Sequence, residues 1–306
     1  MSVSSSSNRP TGRSATVAVP DRTVVDSRAY RFPFLLRNVA EIPADFASLD
    51  MPAAWRSALF LPGGSAGETA HASTPPRLFF LASRGLSVFA QPAFSLPAES
   101  WAANEIEAWE VGRFLLRGWI TLHLSRTQRT WDYNRRSSPP VEQFLRELAL
   151  TRLPAGRIAP NPERSWGDPA PRKLTAAGQD ALLPGEHVLL RLGLPAGRRS
   201  RRRGAIGIEA MSDVLCLSGR RLLWLTDRQR GQSDPYGVLE ISVPLSSIAA
   251  LRVRETEAPV LEVSTRTAVW SAPLACVSVA PARAFVAAAM AMLQSLPSAQ
   301  PSRRQA

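Results

Sequence analysis

The chain is predicted to be an α+β protein, mainly β, made of two tandem units, each an antiparallel sheet or partly open barrel capped by a C-terminal helix. Three observations lead there. Short β-type apolar runs are followed by a single helical run, and this order occurs twice. The two segments match one another in order and spacing. Between them lies a stretch dense in proline, glycine and charge. A length of 306 residues gives room for about two domains, since a single core stops growing before that size.

Residues 1–28 are rich in Ser, Thr, Pro and Arg without periodicity, which predicts a disordered N-terminal tail. They lack the apolar core of a secretory signal, so a cytoplasmic protein is expected. The first unit is assigned to 29–152. In it "FFLASRGLSVFA" (Phe79 to Ala90) reads as two strands around a polar turn carrying Arg84, and it aligns without a gap on "LCLSGRRLLWLT" (Leu215 to Thr226), whose turn carries Arg220. "IEAWEVGR" (Ile106 to Arg113) sits where "IAALRVRE" (Ile248 to Glu255) does. Two β-like runs follow each: "FLLRGWITLHL" and "TWDYN" in the first unit, "VLEVST" and "AVWSA" in the second.

A proline and a helix then close each unit, from Pro140 and from Pro281. Val141, Phe144, Leu145 and Leu148 fall at the spacing of one helical face, as do Phe285, Ala288, Ala289 and Met292. Ile106 to Phe144 spans 38 positions and Ile248 to Phe285 spans 37, so the spacing is kept across the whole unit. Residues 153–174, which include "LPAGRIAPNPERSWGDPAPRK", are expected to form a flexible linker without helix or strand, leaving the orientation of the two units open. The second unit is assigned to 175–296 with an arginine-rich loop at 195–204, and 297–306 to a second disordered tail.

The succession "LLPGEHVLLRL", "LCLSGRRLLWLTD" and "VPLSSIAALRV" resembles the bacterial pleckstrin-homology-like and GRAM-like families, in which a "PGE" lead-in, a "T-(N/D)-x-R"-like hairpin and an "IPxxxI" strand recur in this order. The likeness covers about residues 180–296, and the hairpin departs from the family pattern by carrying Ser218, Gly219 and Arg220. The first unit is similar by way of the internal match. The resemblance implies two tandem PH-like domains of seven strands and a helix, the first more divergent. This superfold hosts lipid binders, peptide binders and scaffolding modules, so it specifies fold far better than function.

With 37 basic and 25 acidic residues the net charge is +12, which favours anionic partners. Lys173 is the only lysine, in a chain also loaded with alanine, proline and glycine. GC-rich codon usage and arginine chosen for bidentate phosphate recognition leave the same mark. Cys216 and Cys276 both lie in apolar stretches and are expected as reduced core residues. The apolar stretch from Ala282 to Leu296 is interrupted by Arg283 and Gln294 and is short for a bilayer span, so membrane contact is expected to be peripheral.

The run "GRRSRRRG" places Arg198, Arg199, Arg201, Arg202 and Arg203 in the loop after the first strand of the second unit, with Arg191 on that strand. In lipid-binding members of the family this loop grips phosphate, and guanidinium forks suit that task. A solvated insertion is the competing reading. Absence of interleaved aromatics argues against nucleic acid. Arg135 and Arg136, after Trp131, form a secondary anion-contact candidate. Trp109, Trp119, Trp131 and Tyr133 sit in apolar or alternating runs and are read as packing.

Catalytic signatures are missing. His71, His123 and His187 have no second ligand at metal spacing, "LPGGSAGET" lacks the lysine of a phosphate loop, and Asp132 has no paired carboxylate. No metal or cofactor is expected. The sequence therefore predicts a non-enzymatic binding or scaffold protein whose partner is another protein or an anionic membrane surface, with the arginine loop as the candidate contact to anionic phosphate-bearing surfaces. The alternative is a protein-protein adaptor that binds a peptide along a sheet edge or helix-side groove. Exposed strand edges also favour homo-oligomers.

Overall fold

The computed structural model describes residues 32–50, 52, 54–63, 75–92, 98–114, 117–135, 138–153, 162–169, 171–194, 212–227 and 237–295. The first half begins with β1 (Phe34–Leu36), β2 (Ser57–Leu61), β3 (Arg77–Ala82), β4 (Gly85–Ala90) and β5 (Glu99–Ala102). These five pair antiparallel in sequence order. A 3₁₀ turn (Ala103–Glu105) leads into β6 (Ile106–Phe114), β7 (Arg117–Leu124) and β8 (Thr127–Asn134), and helix α1 (Pro139–Arg152) follows.

The second half has β10 (Val188–Leu194), β11 (Asp213–Ser218), β12 (Arg221–Thr226) and β13 (Val238–Pro244), then a 3₁₀ turn (Leu245–Ser247). After it come β14 (Ala250–Arg254), β15 (Val260–Ser264), β16 (Val269–Pro273) and α3 (Cys276–Ser295). The molecule is thus mainly β, with both long helices at the ends of strand runs. In α1 the residues expected inside, Val141, Phe144, Leu145 and Leu148, are buried.

Sequence reasoning about 153–174 requires correction. Within it lie β9 (Arg164–Gly167) and the start of α2 (Arg172–Ala181). Strand β9 pairs parallel with β10, and its Trp166 meets Phe285 of α3 edge-on at 6.0 Å. Gly167 has φ +77°, and a Cβ there would stand 2.1 Å from the Gly193 carbonyl, so this close turn-out requires glycine. Helix α2 lays Leu174 on the outer face of β11 and β12, against Val214, Cys216, Leu223 and Leu225. Burial of these apolar side chains outweighs the low intrinsic propensity of a proline- and glycine-rich segment.

The orientation of the halves is also fixed, contrary to the expectation of a free linker. Strand β13 pairs antiparallel with β6, from Val238 opposite Arg113 to Ser242 opposite Trp109. This seam fuses the two halves into an eight-stranded sheet of order β8-β7-β6-β13-β12-β11-β10-β9. Strand β6 feeds two cores: Trp109 and Val111 pack in the first, with Phe79, Trp131 and Phe144, while Ala108 packs in the second, with Leu215, Ile241 and Phe285. Glu107 on β6 receives Arg266 (2.7 Å) and the Thr267 hydroxyl (2.8 Å) from the turn before β16, and Glu110 receives the Trp270 indole N–H (2.7 Å). Arg152, at the end of α1, donates to the Ile106 carbonyl and to the Ser247 hydroxyl of the second half.

The four aromatics read as packing, Trp109, Trp119, Trp131 and Tyr133, are all buried. Two of them lie over glycines directly across the ladder. Trp119 covers Gly112 and Tyr133 covers Gly118, and a Cβ on either glycine would clash with the facing ring, at 2.1 and 2.3 Å. Cys216 is buried, and burial pushes its thiol up to about 11. Cys276 differs from expectation: it opens α3 and is exposed. Helix α3 also starts five residues before Pro281 and reaches 20 residues with a mean hydropathy of 1.7 in its most apolar window, so by length and composition alone it could cross a bilayer. Here it packs on β9, β10 and β14 through Ala282, Phe285 and Ala289.

The "PGE" lead-in and the second hairpin meet in a buried ion pair. Arg221 Nη2 lies 2.9 Å from Glu186 Oε2, and both side chains are almost wholly shielded from solvent. Glu186 also accepts from the Ser218 hydroxyl (2.6 Å) and the Leu183 N–H (2.8 Å), while Arg221 donates to the Ser242 hydroxyl (3.1 Å). Burial pushes the Glu186 carboxyl up, but the Arg221 charge and these hydrogen bonds outweigh it and leave the group below its ordinary value. Removing one partner would strand the other charge. Arg221→Met is therefore expected to lower unfolding free energy by about 3–5 kcal/mol in urea titration, and Glu186→Leu with Arg221→Met to recover most of that loss. A double variant as weak as the single one would contradict this account.

A candidate cleft at the seam between the halves

Where β6 meets β13, the sheet face on the α1 side is left partly open. Strand β6 sends Trp109, Val111 and Arg113 to this face, and β13 sends Val238 and Glu240. The alternation of a strand makes this a single row from each. Helix α1 forms one wall with Glu142, Leu145, Arg146 and Ala149, and α2 forms the other with Lys173, Ala176, Ala177 and Asp180. The cleft so enclosed measures about 740 Å³, within the range of small-molecule and peptide sites.

Its floor mixes apolar Trp109, Val111 and Val238 with Arg113 and Glu240, and its charges are unevenly satisfied. Arg113 pairs with Glu240 (3.0 Å) and approaches Glu142 (3.6 Å). Burial works against its charge, yet the two carboxylates more than offset this and raise its pKa. Lys173 lies 3.7 Å from Asp227 and donates to the Gly237 carbonyl. Arg135 and Arg146 also line the cleft, and among the described residues neither is ion-paired. Behind the lining, near Arg135, lies a buried hydroxyl without a hydrogen-bond partner among the described residues, that of Tyr133. It sits in the field of Arg113, Glu142, Arg135 and Glu240, four groups of the cleft wall.

The other face of the seam holds a hollow of about 690 Å³ lined by Glu110, His123, Asp213, Trp224 and Trp270. Its polar groups satisfy one another. Glu110 bonds both His123 (2.9 Å) and Trp270 (2.7 Å), and Asp213 accepts from the Trp224 indole (2.9 Å). Among the described residues, no group of three or more His, Cys, Asp or Glu side chains is arranged to hold a metal ion.

Of the anion-contact candidates named from sequence, Arg135 reaches the cleft at the end of β8. Arg191 does not. It lies on β10 with Nε 3.0 Å from Glu163 Oε1, a pairing that already neutralises its guanidinium. Arg198, Arg199, Arg201, Arg202, Arg203 and Arg136 lie outside the described residues. Sequence reasoning missed Arg113, Arg146 and Lys173. Arg146 follows Glu142 by one helical turn on the flank of α1, a signal available in the pattern, but nothing in the sequence marks α2 as the facing wall.

Burial pushes the Tyr133 phenol up to about 12, Arg113 pulling it down only in part. An acid whose folded-state pKa lies above its unfolded value contributes stability below the unfolded value, about 10, and loses it as pH rises through the folded one. Stability is thus expected to fall between about pH 10 and 12, and Tyr133→Phe to remove this component of the profile. Absorbance titration of the phenol alongside thermal melts checks it; identical alkaline melting in the variant would show that Tyr133 is not the group.

No family model matches the chain, and no curated protein is significantly similar to it.

Proposed function

We propose that the chain is a non-enzymatic binding or scaffold protein made of two tandem PH-like domains, and that its seam cleft takes a phosphate-bearing anionic group. The two-copy reading is supported by the order of elements. Strands β3 and β4 correspond to β11 and β12 at a constant offset, the 3₁₀ turns fall at equivalent places, and α1 and α3 close equivalent strand runs. The single observation that carries the site is the convergence of Arg135 and Arg146, without ion-pair partners among the described residues, on one cleft.

The chemistry fits. Two guanidinium forks present donors in the geometry that phosphate oxygens accept. Trp109 and Val111 on the floor with Leu145 and Ala149 on the α1 wall suit an acyl or glycerol portion attached to that phosphate. In this reading the protein works in the cytoplasm, at the membrane surface, and the arginine run at 198–203 adds long-range attraction. A peptide adaptor is the second reading, favoured by the position of the cleft between α1 and α2, which makes it a helix-side groove.

Co-sedimentation of the full chain with phosphatidylglycerol and phosphatidylcholine vesicles, at low and high salt, separates these. The expected result is salt-sensitive binding to the anionic vesicles only. Arg135→Ser with Arg146→Ser is expected to weaken it by about tenfold, and serine at Arg198, Arg199, Arg201, Arg202 and Arg203 to weaken it independently. Binding untouched by the cleft pair, or no binding to either vesicle, overturns the phosphate reading.

A further inference from the structure

The seam uses two unlike edges. One is the outer edge of β13, the last strand of the four-stranded run in the second half, and the other is the outer edge of β6, the first strand of the three-stranded run in the first half. If the halves are copies of one unit, each edge has an equivalent elsewhere in the chain. The 142 positions that separate Ile106 from Ile248 map β13 onto β5 and β6 onto β14. Among the described residues β5 pairs only with β4, and β14 only with β15. The chain therefore carries one made seam and the two halves of a second, unmade one.

We propose that β5 of one copy pairs antiparallel with β14 of another, in the register the chain uses internally, so that copies add head to tail. Within the seam Ile241 faces Glu110 and Ser242 faces Trp109. Carried over by the same offset, these become Glu99 facing Arg252 and Ser100 facing Leu251. Opposite charges thus come to stand directly across the new ladder, on side chains that are solvent-accessible in the single chain, 28% for Glu99 and 59% for Arg252. Each has an intramolecular partner, Arg129 for Glu99 and Glu262 for Arg252, so the pair forms within a four-member alternation of charge. The edges differ from one another, so the contact is heterologous. Its product is an extending chain or a ring rather than a closed two-fold dimer.

The proposal rests on the two-copy reading and is independent of what the cleft holds. Sedimentation velocity of the full chain over a wide concentration range tests it. The expected result is mass that grows with concentration past the dimer, an association about tenfold weaker in Glu99→Arg and in Arg252→Glu, and partial recovery in the double variant, which restores opposite charges across the ladder but leaves like charges beside Arg129 and Glu262. Unchanged circular dichroism melts certify that each variant is folded. Edge arginines can also serve to block pairing. In that case the chain stays a monomer at every concentration, and the proposal fails. A closed dimer insensitive to both reversals overturns it equally, and neither outcome bears on vesicle binding through Arg135 and Arg146.

Discussion

The pairing of β13 with β6 is the constraint from which the rest of the structure follows. A strand with an unpaired edge leaves backbone donors and acceptors exposed, and β6 resolves this by taking β13, the last strand of the other half's four-stranded run, as its neighbour. Having done so, it is covered on both faces. Trp109 and Val111 belong to one core and Ala108 to the other, which links the packing of the two halves through a single strand. The carboxylates of Glu107 and Glu110 are then held near the interior. They are tolerated because the second half supplies Arg266, Thr267 and Trp270 to bond them.

The same physics separates scaffold from site. Glu186 and Arg221 are buried charges with multiple partners, so their network rigidifies the lead-in to β10 and the β11–β12 hairpin and leaves little capacity for a ligand. The polar hollow around Glu110, His123 and Asp213 is likewise bonded among its own members. The seam cleft is different, because among the described residues Arg135 and Arg146 line it without an ion-pair partner.

Adjacency in sequence and convergence in space single out different arginines. The run at 198–203 draws the eye because like charges are adjacent in sequence, whereas Arg113, Arg135 and Arg146 come from three different elements and meet only when β6, β8 and α1 are assembled. Arg191 looked like an extension of the run and is instead neutralised by Glu163, which the parallel strand β9 carries to its side. The linker reading failed for a related reason. Proline and glycine content reports local propensity, and Trp166 and Leu174 are held by contacts with Phe285, Val214 and Leu225 that no local window contains.

The sequence by itself determined the mainly β class, the two strand-rich segments, their hairpins at 79–90 and 215–226, and the inward face of α1. Those features are written in short-range periodicity, turn residues and capping prolines, which act within a few positions of one another. Only the tertiary structure decided that the halves share one sheet, that 164–181 is a strand and a helix rather than a connector, and that Cys276 is exposed. It alone formed the cleft. These outcomes depend on which edges and faces find partners far away in the chain, and hydrogen bonding and apolar burial at such separations leave no pattern in the linear order of residues.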